Sequence, residues 1–352
     1  MINMYTIKYH TLIDIDTLES SWRLLENGAD MTYFQRFDWY KMLATLNNRV
    51  SHKCFVTVIA EVIKDNHTVV IAPLWVVRKD FGKYNHRGVY FFSRGQWSDY
   101  QNFIYADFDS QAVNELLRDV KKQYDVSNFI FEDVPVKSAL FQYINEKYTH
   151  LVDEGNVCVE FYIPENLEAY HKMLSKNARQ NIRTAFNRAE KDGISFSFDF
   201  DDKNVNIEDF KAFREAHLGD KIRKGGTTLK SKLVYFISTK ILGRGVYSFA
   251  PYTPFQNDKS AHFITCRNQE GKLCAAYCYG IDKIHNSVVL MAVATNGEFY
   301  KYSPGILSIY KFVIEQMEKK GYSRIDFTRG NEKYKFVLGG QKHYNQDLIF
   351  KI

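Results

Sequence analysis

Apolar positions fall into two matching series along the chain. Residues 54–62 (CFVTVIAEV) read as a strand, KDNH supplies a polar turn, and 68–77 (TVVIAPLWVV) form a second strand. A third strand is expected at 87–93. The period then changes over 110–122, where Val113, Leu116, Leu117 and Val120 share one helical face, and an apolar strand at 128–132 closes the series. The same order returns later in the chain. Segments 261–267 (AHFITCR), 272–281 (KLCAAYCYGI) and 287–294 (SVVLMAVA) read as strands separated by NQEGK and DKIHN, followed by a helix at 304–320 and a strand at 323–328. This repeat predicts an α/β (α+β) chain of two duplicated domains, 1–155 and 156–352, each a mixed sheet flanked by helices.

Between the series, 175–192 (SKNARQNIRTAFNRAEKD) has a capping Ser175 and stops at Gly193, so it is expected to be helical. Residues 207–218 read as a second helix. The Lys- and Gly-rich segment 219–232 (GDKIRKGGTTLKSK) has little to bury and is expected to be a mobile loop, whether a functional lid or plain surface.

Charge narrows the choice of partners only slightly. An excess of 47 Lys and Arg over 41 Asp and Glu is too thin for a dedicated nucleic-acid binder and supports a mild preference for an anionic ligand. Five cysteines without a CxxC argue against a disulfide framework or zinc knuckle, and fit buried small hydrophobes in a reducing compartment. The start of the chain has no signal-peptide pattern, and no apolar run reaches the roughly 20 residues of a membrane span, so a cytoplasmic location is expected. The ten histidines lack metal-ligand spacing, and GxxxxGK[ST], HExxH, GxSxG and GxGxxG are all missing. No metal is expected.

The candidate chemistry lies in the last third. In YKYSPGI (300–306), Ser303 suits an N-cap, Pro304 the first helical position, and Gly305 a close backbone approach. Such a helix start can hold a pyrophosphate or carboxylate, although an ordinary helix start accounts for the same residues. Downstream, RIDFTRGNEKYKFVLGG (324–340) sets Asp326 on a strand that runs into Arg329, Glu332, Lys333, Tyr334 and Lys335. A polar cluster at a strand end suggests a site; a solvated turn is the alternative.

The run from Tyr302 to Lys335, YSPGILSIYKFVIEQMEKKGYSRIDFTRGNEKYK, resembles the signature of the CelD-like acyltransferases of the GNAT superfamily. The basic helix 174–193 and the stretches YFQRFDWYKML (33–43), IAPLWV (71–76) and WSDYQNF (97–103) are also similar to that family, in the same order. The resemblance implies two tandem GNAT-like domains. It further implies an acyl-CoA donor such as acetyl-CoA, and an amine or hydroxyl acceptor, often a sugar, in polysaccharide biosynthesis. It carries no catalytic assignment. Where the family often has a second acidic residue after SDY, this chain has Gln101 and Asn102, which puts the first-half site in doubt.

Under this resemblance Tyr302, Ser303, Pro304 and Gly305 are expected at the cofactor pyrophosphate. Asp326 is the candidate base and Tyr334 the candidate acid for the leaving thiolate. Arg329, Lys333 and Lys335, together with Asp99 and Tyr100 of the first half, are candidate substrate contacts. The alternative is a Fem-type transferase using aminoacyl-tRNA, also built on duplicated GNAT folds, in which Lys176, Arg179 and Arg183 on one helix face would meet phosphates. No long heptad segment marks the helical arms that many Fem-type proteins carry. A third reading is a non-catalytic scaffold for a polysaccharide-forming complex.

Overall fold

Both apolar series form the strands and helices read from the sequence. The computed structural model describes residues 4–46, 51–52, 54–80, 86–94, 98–148, 150–152, 155–224 and 261–352. These divide into two compact units, residues 1–158 with 343–352, and residues 159–342.

In the first unit, β1 (Tyr5–His10) is followed by α1 (Glu19–Leu25), α2 (Phe37–Leu46), the short β2 (Ser51–His52) and the long β3 (Phe55–Lys64). β3 turns into β4 (His67–Val77) through Asp65 and Asn66, both at positive φ, as a two-residue hairpin loop requires. Then come β5 (Gly88–Phe91), α3 (Ser110–Tyr124), β6 (Asn128–Pro135), α4 (Ala139–Lys147) and β7 (His150–Val152). α3 buries Val113, Leu116, Leu117 and Val120, the stripe read from the sequence. The sheet is mixed: β1, β3, β4 and β5 pair antiparallel, while the helical crossover makes β5 and β6 parallel, with Val89 opposite Phe129.

β8 (Asn156–Tyr162) straddles the division between the units. The second unit continues with α5 (Leu167–Met173), α6 (Lys176–Lys191), the edge strand β9 (Phe196–Asp199) and α7 (Ile207–Lys224). Next are β10 (His262–Asn268), β11 (Leu273–Asp282), β12 (Ser287–Thr295), α8 (Pro304–Lys319), β13 (Arg324–Arg329) and the one-turn α9 (Lys333–Val337). Its strand order is β8-β13-β12-β11-β10-β9, again mixed, with β12 and β13 parallel. As expected, Ser175 caps α6 by accepting the Ala178 N–H at 3.1 Å.

Three expectations change. Contiguous domains put the chain end in the second unit, but the last strand, β14 (Gln341–Lys351), joins the first from His343 onward, because it pairs antiparallel with β6 (Leu348 opposite Phe131). Residues 219–224, expected in a loop, complete α7; the rest of that segment, 225–232, lies outside the described residues. Four cysteines are buried as small hydrophobes, but Cys54 is only half-buried. Among the described residues no helix is long and apolar enough to cross a membrane.

Candidate functional site

β12 and β13 pair over only three positions: Ser287 with Arg324, Val288 with Ile325, and Val289 with Asp326. β12 then runs on to Thr295 along β11 alone, so the two parallel strands part after Val289 and Asp326. The Thr328 hydroxyl, donating to the Leu290 carbonyl at 3.3 Å, bridges the base of the opening. Thr328 itself has φ 56°, an irregularity in the extended backbone of β13 one residue before its end.

Strand alternation assigns side chains to the two faces of this opening. Tyr277 donates to the Gly305 carbonyl at 3.1 Å and Tyr279 packs against Phe312, so both face α8. Cys278, between them, faces the other way, where it feels the charge of Arg214 on α7. Leu290 stands opposite Tyr279 and shares the α8 face; Val289 and its partner Asp326 therefore lie on the α7 face. Phe327 returns to the α8 face, and Tyr334 packs edge-on against it with ring centroids 6.2 Å apart.

The two candidate acid–base residues thus flank the opening from opposite faces. Asp326 is buried and accepts the Thr328 N–H at 2.7 Å. Tyr334 is half-buried, and its hydroxyl has no hydrogen-bond partner among the described residues. Burial and then the nearby Glu332 carboxylate hold its pKa well above the ordinary phenol value, so it keeps its proton. Tyr277 is likewise held protonated, by burial first and by Tyr334 second.

Ser303 initiates α8, but in the left-handed region (φ 50°, ψ 47°) and without a side-chain cap. Gly305 is buried, and the groups that approach it are internal: a Cβ there would lie 3.3 Å from Thr295 Oγ1 and 3.4 Å from the Tyr277 hydroxyl. Tyr302 is buried, with its hydroxyl donating to Asp192 at 2.8 Å beyond the end of α6. Of the four residues expected at a pyrophosphate, Ser303 is the one left half-buried at the helix start; Tyr302, Pro304 and Gly305 are buried.

The basic residues also divide. Lys335, 2% exposed, donates to the Arg329 carbonyl at 2.9 Å and the Gly330 carbonyl at 3.2 Å and pairs with Glu332 at 3.0 Å, tying down the turn after β13. Arg329 and Lys333 are exposed. Arg179 bonds the carbonyls of His171 and Leu174 and so closes the end of α5, whereas Lys176 and Arg183 face solvent. In the first unit Tyr100 is buried, stacked on His343 at 5.6 Å, and Asp99 is half-buried with its carbonyl accepting from Asn345 at 2.6 Å. One residue that the sequence did not single out stands at the end of β12. His217, in mid-helix on α7, places Nδ1 2.9 Å from the Thr295 carbonyl. A lone histidine in a helix carries no motif that marks it.

Residues 257–336 match the family described as an acetyltransferase (GNAT) domain. No curated protein matches the chain in sequence. Among solved structures, FemX is similar at 13% identity and TM-score 0.63, over 99% of this chain and 97% of that one. A conserved protein of unknown function from Bacteroides thetaiotaomicron VPI-5482 is similar at 14% identity and TM-score 0.55, over 99% of this chain and 100% of that one. A tandem GNAT protein from the clavulanic acid biosynthesis pathway aligns at 9% identity and TM-score 0.49, over 99% of this chain and 98% of that one. Residues 257–336, within the second unit, are thus similar to a GNAT acetyltransferase domain, in a chain whose fold is similar to that of FemX.

Proposed function

We propose that the protein is an acyl-CoA-dependent acyltransferase acting on an amine or hydroxyl of a sugar, nucleotide sugar or similar small acceptor, in cell-surface polysaccharide biosynthesis. The observation that carries this reading is the parting of β12 and β13 after Val289 and Asp326, within the segment matched to the GNAT domain. The unpaired edge of β12 offers backbone groups to an extended thioester arm, and the uncapped start of α8 favours a pyrophosphate. Acyl-CoA would supply the activated carbonyl. On the α7 face Asp326 orients the acceptor and takes its proton; on the α8 face Tyr334, held protonated, donates to the departing thiolate. Lys335 keeps the turn between them in place.

The fold likeness to FemX favours a second reading, an aminoacyl-tRNA-dependent transferase, with Lys176 and Arg183 as phosphate contacts. Calorimetric titration of the whole protein with acetyl-CoA, beside filter binding of aminoacyl-tRNA, separates the two. Saturable acetyl-CoA binding is the expected result. Binding of aminoacyl-tRNA without any binding of acyl-CoA selects the second reading, and binding of neither favours the scaffold.

A further inference from the structure

His217 joins α7 to the end of β12. The Thr295 carbonyl can only accept, so the proton sits on His217 Nδ1, which donates to it at 2.9 Å. The Tyr300 hydroxyl oxygen lies 2.9 Å from the same nitrogen, and the two rings meet edge to face at 6.1 Å. Thr295 is the last residue of β12, and Tyr300 lies in the short 3₁₀ turn (Gly297–Tyr302) that leads into α8. One half-buried side chain therefore reaches both Thr295 and Tyr300, with its single Nδ1–H shared between the two oxygens. Other fixings of the 295–303 link run to β11 and the end of α6, none of them to α7: Asn296 N–H donates to the Cys274 carbonyl at 2.9 Å, Arg188 donates to the Lys301 carbonyl at 2.6 Å, and Lys301 and Tyr302 both bond Asp192, at 2.7 and 2.8 Å.

From this geometry we infer that His217 is a positioning residue for the donor site: it holds the 295–303 link so that the start of α8 and the free edge of β12 face one ligand together. The inference rests on the acyl-CoA reading. It concerns the part of the donor that reaches the helix start, the pyrophosphate, and not the pantetheine arm along β12. His217 touches none of the residues assigned to proton transfer, so its loss should weaken donor binding and leave the chemical step alone.

The test compares wild type with His217→Ala and His217→Asn, whose amide Nδ2 can stand in for the imidazole Nδ1 donor. Calorimetry measures the Kd of CoA and of 4′-phosphopantetheine, which lacks the pyrophosphate linkage, and thermal unfolding measures stability. In His217→Ala the CoA Kd should rise about tenfold, equal to about 1.4 kcal/mol. Phosphopantetheine binding should stay within about twofold, and His217→Asn should recover most of the CoA affinity. Equal CoA affinity in all three proteins overturns the positioning role while leaving the acyl-CoA reading intact. The same holds if both ligands weaken in parallel, or if CoA affinity tracks thermal stability without rescue by Asn. Failure of wild type to bind CoA overturns both.

Discussion

α3 and α8 occupy the same place in the two units, each following a three-stranded meander and leading into a parallel strand, yet their first turns are built in opposite ways. At α3, Asp109 sits in extended backbone and its Oδ1 accepts the N–H groups of Gln111 and Ala112, both at 3.0 Å. Its other oxygen takes the Tyr5 hydroxyl at 2.9 Å and the Lys64 ammonium at 3.0 Å. The positive end of that helix is already matched by an internal anion, and a phosphate there would meet a carboxylate. α8 starts at Ser303 without a side-chain cap. The strands differ in the same sense. Beside β5 and β6 the space is filled by Phe91, Phe103 and Phe131, with Phe91 and Phe131 centroids 4.5 Å apart, whereas β12 and β13 stand apart above Asp326. Both parallel pairs are short, two positions in the first unit and three in the second, and on the proposed function the first repeat is scaffold while the second holds the site.

The sharpest way to break this contrast is to remove one hydroxyl from each unit. Tyr334→Phe should lower single-turnover acyl transfer by about 10²–10⁴-fold with CoA affinity unchanged, the ordinary effect of losing a positioned acid. Tyr100→Phe should leave turnover alone and cost only about 0.5–1.5 kcal/mol in urea unfolding, because its hydroxyl meets His343 at 3.3 Å inside the first unit. Equal turnover losses in the two variants would place chemistry in both repeats.

The strands and long helices of both series were legible because their apolar patterns are local: the α3 stripe has the helical period, and β3, β4, β11 and β12 are near-continuous apolar runs buried over most of their length. The partner of β14 was not, since antiparallel pairing with β6 joins residues far apart in sequence and leaves no local mark. The candidate residues read from the sequence at 302–305 and 326–335 fall within the segment matched to the GNAT domain. Tyr302, Lys335 and Arg179 read as candidate ligand contacts, but each hydrogen-bonds inside the second unit, and whether a long polar side chain turns inward depends on acceptors that tertiary structure supplies. Gly305 was read as room for a ligand, and the neighbours in that room are Tyr277 and Thr295.

That placement sets the next prediction. Gly305→Glu would force a carboxylate against Thr295 Oγ1 and the Tyr277 hydroxyl, so it should lower stability by several kcal/mol or abolish folding, not simply weaken CoA binding. Circular dichroism and thermal unfolding report the outcome; a folded, stable variant would mean that α8 starts further from the sheet.

Asp109 offers a smaller test with a definite pH signature. Asp109→Ala removes the cap of α3 and should cost about 1–2 kcal/mol in denaturant unfolding. Asp109→Asn keeps a capping oxygen and isolates the charge. Burial acts to raise the Asp109 pKa, but the Ala112 N–H, Lys64 and Tyr5 outweigh it and the net shift is downward. A carboxylate with a depressed folded pKa adds stability above its unfolded value of about 3.9 and loses it as pH falls through the folded value. The stability gap between wild type and Asp109→Asn should therefore be full above about pH 5 and close at lower pH. A gap that widened with acid would contradict the internal-anion account.

The smallest effect has the opposite sign. Ser303 holds φ 50° and ψ 47° with no cap to compensate, a conformation that costs an L-residue other than Gly, Asn or Asp roughly 1–2 kcal/mol. Ser303→Gly removes that strain while adding about 0.4–1 kcal/mol of unfolded-chain entropy, so it should stabilise the protein by up to about 1 kcal/mol. Asp109 lies at φ −106°, where glycine relieves nothing and the cap is lost, so Asp109→Gly should destabilise. Paired thermal unfolding of the two glycine variants reads the contrast directly. Shifts of the same sign would mean that Ser303, like Asp109, contributes stability where it stands, and the start of α8 would then be an ordinary structural terminus.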